Sequence, residues 1–365
     1  METLEIFTQV LNIAIKKQFS DVHLCSWSYP IVRDNSGDIL EISKIPWETW
    51  EIMLERLENK QVIELINHIL GPSKLKVFID TFETDGSYHH SDGSRYRINC
   101  YNQAKWYAIA FRAIPQEIPS LEKLWLWKQI EDMCTKSKWL VLMTGPTWVG
   151  KSTNLAAMID YINTKYRKHI ITIEDPIEFV FQNKQSLINQ REVWIHTKSF
   201  SNAIKSSLRE DPDIIMIWEM RDLETIKAAI TLAETWHLVF STLHTNDTVQ
   251  TIDRIIDIFP SGQQEQIRMQ LAMSLLWVVS QRLLPRKGID GRIPAREILI
   301  NNDAVRNLII TGKTNQLYSV IEIAGKQWMI LLDHYLETLY NKWLISKETF
   351  VSHVRDKENI SILQS

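Results

Sequence analysis

Short apolar runs alternate with amphipathic stretches through the last two-thirds of the chain. The runs occupy residues 140–143, 169–173, 213–217 and 237–240, and the intervening segments space their apolar residues as helices do. Short apolar strands separated by helices are typical of a parallel sheet whose two faces are both covered. The pattern therefore predicts an α/β domain over residues 120–365.

The first 112 residues have a different pattern. An amphipathic helix opens this region, strand-like pieces follow at 21–24 and 95–99, and turn signals stand at 34–37 and 91–93. Short strands separated by such turns, together with an amphipathic helix, indicate a small α+β unit. The sequence predicts this smaller domain over residues 1–112.

A proline-containing segment separates the two regions. Pro115 and Pro119 stand four residues apart within residues 113–119. Proline disfavours helix at its own position and at the preceding one, so the segment stays extended. We therefore predict that residues 113–119 form the linker.

Composition and charge exclude several classes of protein. Hydrophobic residues make up 45% and charged residues 23%, which are ordinary globular values, and the net charge of -3 favours no nucleic-acid partner. Three widely spaced cysteines form neither a disulfide framework nor a zinc motif, which fits a reduced cytoplasm. No uncharged run approaches the roughly 18 residues of a membrane helix. We expect no direct membrane insertion, and any membrane association through a partner.

A phosphate-binding loop is the strongest chemical signal. Residues 145–152 read G-P-T-W-V-G-K-S, which fits the pattern G-x-x-x-x-G-K-[ST] between a predicted strand and a predicted helix. In such a loop backbone N–H groups surround the β-phosphate of ATP, Lys151 neutralises phosphate charge and the Ser152 hydroxyl binds Mg²⁺. The flanking strand and helix favour this interpretation over an accidental glycine turn. The expected nucleotide-binding residues are Gly145, Pro146, Thr147, Trp148, Val149, Gly150, Lys151, Ser152 and Thr153.

A carboxylate at the end of a later strand extends the site. Glu219 stands where a carboxylate would orient the attacking water, although a solvated carboxylate at a strand end is the alternative. Three neighbouring clusters resemble the Asp box, Walker B and His box of secretion-type hexameric ATPases, and this resemblance is dense over residues 139–284. The clusters lie at 173–178, at 219–225, and at 233–237 with 241–245.

Four further motifs look like those of the PilT-like family of type IV pilus retraction ATPases. The last of them is similar to a C-terminal motif that this family associates with retraction. The resemblance implies a RecA-like P-loop ATPase domain behind a PAS-like N-terminal domain, a homohexameric ring, and hydrolysis of ATP with Mg²⁺. It also implies a motor for twitching motility that acts on an inner-membrane pilus platform protein from the cytoplasmic side. The motifs are S-D-V-H-L at 20–24, F-R-A-I-P at 111–115, N-Q-R-E-V at 189–193 and A-V-R-N-L-I at 304–309.

The same resemblance implies roles for residues outside the loop. Arg97 and Arg112 match a pair of arginines that stabilise charge on the transferring phosphoryl group, and Glu174 would support the metal or the water. His244 would sense the γ-phosphate, and His237 would be structural or lie at an interface. Taken singly, the arginines could instead pair with surface carboxylates and the histidines could simply be packed.

Other functions stay open at this point. Pilus assembly and type II secretion ATPases share the chemistry, but they are usually longer and often carry a four-cysteine zinc element that this chain lacks. A RecA-like translocase would need a basic channel, against which the acidic balance argues. A ring scaffold that binds nucleotide without turnover is the third alternative, because Trp148 could fill the phosphate loop.

Tryptophan is abundant and glycine is scarce, at 14 and 11 residues of 365. Twelve tryptophans stand where the PilT-like family has glycine, and replacing them would give 23 glycines, close to the usual ~7%. We hypothesise that the gene uses UGA as a glycine codon and was translated with a table that reads UGA as tryptophan. We call the chain with glycine at all twelve positions the glycine-restored protein. Deliberate substitution and a degenerate paralogue are the alternatives. The twelve are Trp27, Trp106, Trp125, Trp127, Trp139, Trp148, Trp194, Trp218, Trp236, Trp277, Trp328 and Trp343, which leaves Trp47 and Trp50.

Overall fold

The chain divides into two compact units. The computed structural model describes residues 3–355 except 18, 35–37, 46–54, 105, 115–116, 126–130, 132 and 290. The first unit comprises residues 1–117, 175–180 and 192–198, and the second comprises 118–174, 181–191 and 199–365.

This division differs from the predicted domains of 1–112 and 120–365. The predicted linker at 113–119 begins inside a strand that ends at Ile114, and two segments from beyond residue 120 belong to the first unit. The difference arises because a chain segment can leave one unit, pack in another and return, which local sequence patterns do not record. Of the predicted turn at 34–37, residues 35–37 lie outside the described residues, as do residues 115–116 of the linker.

The first unit is an α+β structure, as predicted. Its six-stranded sheet has the order β3-β2-β1-β6-β5-β4, and every neighbouring pair is antiparallel. The elements are α1 (Thr3–Lys16), β1 (Asp21–Cys25), β2 (Ile31–Arg33), β3 (Ile39–Glu41), α2 (Asn59–Ile69), α3 (Pro72–Thr81), β4 (Glu83–His89), β5 (Arg95–Gln103) and β6 (Trp106–Ile114).

The amphipathic pattern of α1 explains how this sheet is covered. Phe7, Val10 and Leu11 are each no more than 2% exposed and recur at helical spacing. The Phe7 ring lies 5.4 Å from that of Phe111 in β6, between ring centroids. The apolar face of α1 therefore forms part of the core of the first unit.

The second unit contains the predicted α/β sheet. Its seven strands have the order β13-β12-β7-β11-β10-β8-β9; β12, β7, β11, β10 and β8 are parallel, and β13 is antiparallel to β12. The strands are β7 (Trp139–Thr144), β8 (His169–Glu174), β9 (Leu187–Glu192), β10 (Ile214–Ile217), β11 (Leu238–Leu243), β12 (Leu275–Pro285) and β13 (Arg292–Ile300).

Helices connect these strands and complete the unit. Every residue of β10 and β11 is buried, as expected for central strands covered on both faces. No helix in the described ranges is long and apolar enough to cross a bilayer. The helices are α4 (Lys151–Lys165), α5 (Phe200–Ser207), α6 (Leu223–Glu234), α7 (Thr248–Asp257), α8 (Ser261–Ser274), α9 (Asp303–Ile310), α10 (Leu317–Ile323), α11 (Leu332–Asn341) and α12 (Lys347–His353).

Tryptophan dominates the residues whose backbone adopts positive φ. Among the described residues, eleven that are not glycine have such a φ, and nine of the eleven are tryptophan. Eight of these tryptophans have φ between 57° and 79°, a conformation that costs an L-residue roughly 1–2 kcal/mol. Together they lower the free energy of unfolding by on the order of 10 kcal/mol, whereas the total for a typical protein is about 5–15 kcal/mol. These eight are Trp27, Trp106, Trp125, Trp148, Trp194, Trp236, Trp328 and Trp343, and Trp139 is the ninth, at 124°.

The remaining tryptophans fall into two groups. Trp218 and Trp277 are described but are not among the residues with positive φ; Trp277 lies in β12 at a shift in the register with β7. Trp47, Trp50 and Trp127 lie outside the described residues.

Candidate active site

The candidate site lies at one edge of the sheet of the second unit. Parallel strands end at the same edge, and β7, β8, β10 and β11 are four such neighbours. The phosphate-binding loop follows β7, Glu174 ends β8, Glu219 follows β10 and His244 follows β11. Sites at the carboxyl edge of parallel sheets are a general property of α/β folds. The sheet order thus brings four separate sequence motifs together.

Both glycines of the loop motif are required by its backbone. Gly145 has φ of 138° and Gly150 has φ of 85°, values that L side chains adopt at a cost. A Cβ at Gly145 would also overlap the backbone carbonyl oxygen of Gln281 in β12. The loop can therefore pass β12 this closely only with glycine at position 145.

Lys151 begins α4 and is buried against the loop. Its ammonium group donates hydrogen bonds to the carbonyl oxygens of Gly145 at 2.7 Å and Pro146 at 2.9 Å. A buried charge is stable only where polar partners replace water, and the loop carbonyls provide that replacement. The motif lysine is thereby held at the phosphate-binding loop itself.

His244 connects the loop to Glu219. Its Nδ1 atom lies 3.3 Å from Nζ of Lys151, and its Nε2 atom lies 3.3 Å from Oε1 of Glu219. An ammonium group can only donate, so Nδ1 accepts, and Nε2 carries the proton that is donated to Glu219. The other Glu219 oxygen lies 2.8 Å from Nη2 of Arg221. The structure therefore places Lys151, His244 and Glu219 in one connected cluster.

Glu174 is a buried carboxylate at the end of β8. It is 2% exposed, and its Oε1 atom accepts hydrogen bonds from Thr172 Oγ1 at 2.6 Å and Gln190 Nε2 at 3.0 Å. Gln190 belongs to the N-Q-R-E-V motif at 189–193. One role of that motif is thus to position the Glu174 carboxylate.

The side-chain oxygens of Ser152 and Glu174 are ligands of the kind that Mg²⁺ prefers. Within the described ranges no group of three or more histidine, cysteine, aspartate or glutamate residues could hold a metal ion. Mg²⁺ in phosphate-transfer sites usually takes one or two protein oxygens and completes its shell with phosphate oxygens and water. The Ser152 hydroxyl and the Glu174 carboxylate are oxygen donors of this kind.

Arg97 and Arg112 lie side by side in the first unit. They are direct partners across β5 and β6, and Asp21, in β1, is the partner of Arg112 on the other side. Arg112 Nε donates to Asp21 Oδ1 at 2.7 Å, and Arg33 Nε lies 3.8 Å from Oδ2. Asp21 is 6% exposed, so the carboxylate that Arg112 contacts is not a surface one. The structure therefore brings the two predicted arginines together and shows that the S-D-V-H-L motif holds one of them.

His237 has a structural environment. Its Nδ1 atom lies 3.2 Å from the Leu232 carbonyl oxygen and 3.2 Å from Thr235 Oγ1. Both partners belong to the C-terminal end of α6, where a histidine side chain can satisfy free carbonyls. The ring therefore caps this helix.

A buried network behind the loop was not predicted. Gln281 Nε2 donates to the Val149 carbonyl of the loop, and Gln281 Oε1 accepts from Asn154 in α4 at 2.9 Å and from Arg296 at 2.6 Å. Arg296 is 1% exposed and also donates to the carbonyl oxygens of Leu124 and Trp125. Burial lowers the pKa of its guanidinium to about 10. The sequence signal was the pair of charged residues Arg296 and Glu297 within the apolar run of β13.

Trp148 strains the loop through its backbone. Its φ is 72° and its indole is 60% exposed, so the side chain points outward while the peptide units keep the conformation that glycine favours. Because this strain favours departure of the empty loop from the binding conformation, we expect the chain as written to bind ATP at least ~10-fold more weakly than its Trp148→Gly variant, a difference of about 1.4 kcal/mol or more. Calorimetric titration of both proteins measures this difference, with circular dichroism to show that each is folded.

A matched control separates loop strain from general strain. Trp328 has φ of 68° and is 56% exposed, and it follows the short 3₁₀ helix Gly325–Gln327. Trp328→Gly should relieve the same kind of strain without improving ATP affinity. Equal affinities of the Trp148→Gly variant and the parent would show that the loop accommodates the indole.

Comparison with known proteins identifies relatives over almost the whole chain. The model of the family described as type II/IV secretion system protein matches residues 123–327. The chain is 44% identical to the type IV pilus "retractation" ATPase PilT of Pseudomonas aeruginosa over 352 residues, which is 96% of this chain and 99% of the relative. It is also 44% identical to a twitching motility protein of Neisseria gonorrhoeae, over 85% of this chain and 83% of the relative.

A solved structure agrees with these matches. The crystal structure of the pilus retraction motor PilT with bound ADP superposes with a TM-score of 0.87 at 40% identity, covering 97% of this chain and 98% of that one. The fold and the sequence thus point to the same group of proteins.

Proposed function

This chain belongs to the type II/IV secretion system protein family, and we propose that it is the ATP-hydrolysing motor that powers retraction of type IV pili. The observation that carries the proposal is the cluster of Lys151, His244 and Glu219 at the carboxyl edge of the sheet. It combines a phosphate-binding lysine with a carboxylate suited to orienting water. Near full-length identity of 44% to a pilus retraction ATPase supports the direction of the motor.

The residues of the second unit divide the chemistry among them. The loop from Gly145 to Thr153 binds the phosphates of ATP, and Lys151 exchanges the loop carbonyls for phosphate oxygens. Glu219 orients the attacking water and accepts its proton, since it is the carboxylate of the cluster and lies beside His244. His244 contacts both Lys151 and Glu219, so it couples binding of the γ-phosphate at Lys151 to the position of the Glu219 carboxylate.

Cations stabilise the negative charge that develops on the transferring phosphoryl group. Ser152 and Glu174 would hold Mg²⁺, which would supply electrostatic stabilisation of the phosphates. Arg97 and Arg112 add positive charge from the first unit, as arginine fingers do. The two arginines are direct partners across β5 and β6, so both start from the same part of this sheet.

The motor acts as part of a larger machine. We propose a homohexamer that contacts an inner-membrane pilus platform protein at the cytoplasmic face of the membrane. The C-terminal motif at 304–309 supports retraction rather than assembly. It forms part of α9 in the structure, where Asn302 caps the helix by accepting a hydrogen bond from the Val305 N–H at 3.0 Å.

Complementation tests the proposed function. The glycine-restored protein is expressed in a piliated bacterium that lacks its own retraction ATPase, and twitching is scored beside the Glu219→Gln variant. We expect twitching with the first protein and none with the second. Restored pilus assembly in a strain that lacks its assembly ATPase, without any rescue of twitching, would instead show an assembly motor.

A further inference from the structure

Two helices of the second unit end in the same way with different residues. After α9, the Gly312 N–H donates to the Ile309 carbonyl and the Lys313 N–H donates to the Leu308 carbonyl. After α11, the Trp343 N–H donates to the Tyr340 carbonyl and the Leu344 N–H to the Leu339 carbonyl, at 2.8 and 3.0 Å. Both ends show the two hydrogen bonds of the Schellman motif, whose left-handed residue is usually glycine.

The left-handed residue of this motif is glycine in one case and tryptophan in the other. Gly312 has φ of 70° and Trp343 has φ of 58°. Trp343 is 74% exposed, so burial of the indole does not compensate for the strained backbone. The same motif therefore has glycine, the residue it favours, after α9 and tryptophan, one of the least suitable residues, after α11.

The end of α6 repeats the pattern. Trp236 has φ of 70° and follows the C-terminal cap Thr235, and the next residue, His237, donates to the Leu232 carbonyl at 3.4 Å. The Trp236 side chain is 71% exposed. A third helix end therefore has glycine geometry and a tryptophan side chain.

The remaining cases extend this to turns and to the phosphate-binding loop. The eight tryptophans with φ between 57° and 79° are all between 43% and 74% exposed. Indoles are usually largely buried because their apolar area is large. Of the two other residues in the set of eleven, Asp211 is of a type that tolerates this conformation and Phe82 is not. At nine positions tryptophan therefore has a backbone conformation that glycine favours.

We propose that the native protein carries glycine at these positions, because its gene uses UGA as a glycine codon and the printed chain follows a translation table in which UGA encodes tryptophan. The φ values support glycine at nine positions, and the glycines that the PilT-like family has at Trp127, Trp218 and Trp277 extend the proposal to these three. Decoding of this kind requires a glycine-charged transfer RNA that reads UGA. The inference concerns the chemical identity of the chain and does not rest on the proposed function.

Mass spectrometry of the protein purified from its native cells tests the proposal. Tryptic peptides 139–151, 210–221 and 343–347 report positions 139, 148, 218 and 343, and peptide 45–56 contains Trp47 and Trp50 as an internal control. We expect glycine masses in the first three peptides and tryptophan at both control positions. Tryptophan at 148, 218 and 343 in the native peptides would overturn the proposal.

The gene and the folded chain give two further readouts. We expect UGA at the twelve codons and UGG at codons 47 and 50, and UGG at the twelve would contradict the proposal. In the chain as written, Trp343→Gly should raise the midpoint of thermal unfolding, with Lys342→Gly, one residue earlier at the helical cap, as a control that should not. A Trp343→Gly midpoint that is unchanged or lowered would remove the backbone argument.

Discussion

Glu219→Gln in the glycine-restored protein is expected to lower kcat for ATP hydrolysis by at least ~100-fold and to leave the Kd for ATP unchanged. Glutamine keeps the size and hydrogen-bonding capacity of the side chain but cannot accept the proton of the attacking water. Glu219 is positioned by His244 and Arg221 rather than by the phosphate-binding loop, so its loss should spare nucleotide binding. Steady-state turnover and calorimetric titration measure the two quantities separately.

The matched control is Glu224→Gln, at an exposed position in the first turn of α6. It removes the same charge close by in sequence and should leave kcat within the range of the parent. Turnover of Glu219→Gln near that of the parent would remove this carboxylate from the mechanism. A comparable loss in Glu224→Gln would mean that general charge, rather than a positioned base, controls the rate.

Arg97→Ala and Arg112→Ala are each expected to lower kcat by at least ~100-fold with little change in the Kd for ATP, since arginines that stabilise transition-state charge contribute about 10³–10⁵ in rate. The two guanidinium groups start from neighbouring positions on β5 and β6. Removing either one should therefore weaken stabilisation of the same negative charge in the transition state. Single-turnover kinetics at saturating ATP, alongside calorimetric Kd values, separate this effect from weaker binding.

Arg33→Ala is the control for this pair. Arg33 also approaches Asp21, at 3.8 Å, but it lies in β2 outside the predicted pair. We expect its loss to leave kcat near that of the parent, with unfolding curves confirming that all three variants are folded. Equal losses in kcat and ATP affinity for Arg97→Ala or Arg112→Ala would show ordinary ground-state binding.

Local patterns predicted the strands and the loop because each depends on residues that are adjacent in the sequence. The loop motif of residues 145–152 lies between a strand and a helix, and Glu219 and His244 follow neighbouring strands, as the apolar runs indicated. The PAS-like character of the N-terminal domain and the catalytic roles of the site residues stay predictions.

The division into units and the network behind the loop required the folded structure. Residues 175–180 and 192–198 pack in the first unit although they flank β9 of the second, whose last residue is Glu192. Gln281 meets the loop because β12 is the neighbour of β7 in the sheet, although the two strands are more than a hundred residues apart along the chain. Strand order is a property of tertiary packing, and no local periodicity encodes it.

The position of Arg296 has a consequence for how variants of this gene are interpreted. Arg296 is remote in sequence from the phosphate-binding loop, yet Gln281 links it to the loop by hydrogen bonds. Removing the guanidinium takes away one of the two donors to Gln281 Oε1 and leaves the carbonyl oxygens of Leu124 and Trp125 without this buried donor. Unsatisfied buried groups are destabilising. A genetic screen for motor defects would therefore recover residue 296 together with the loop mutants. A ranking of variants by distance from the nucleotide motif would class the same change as silent.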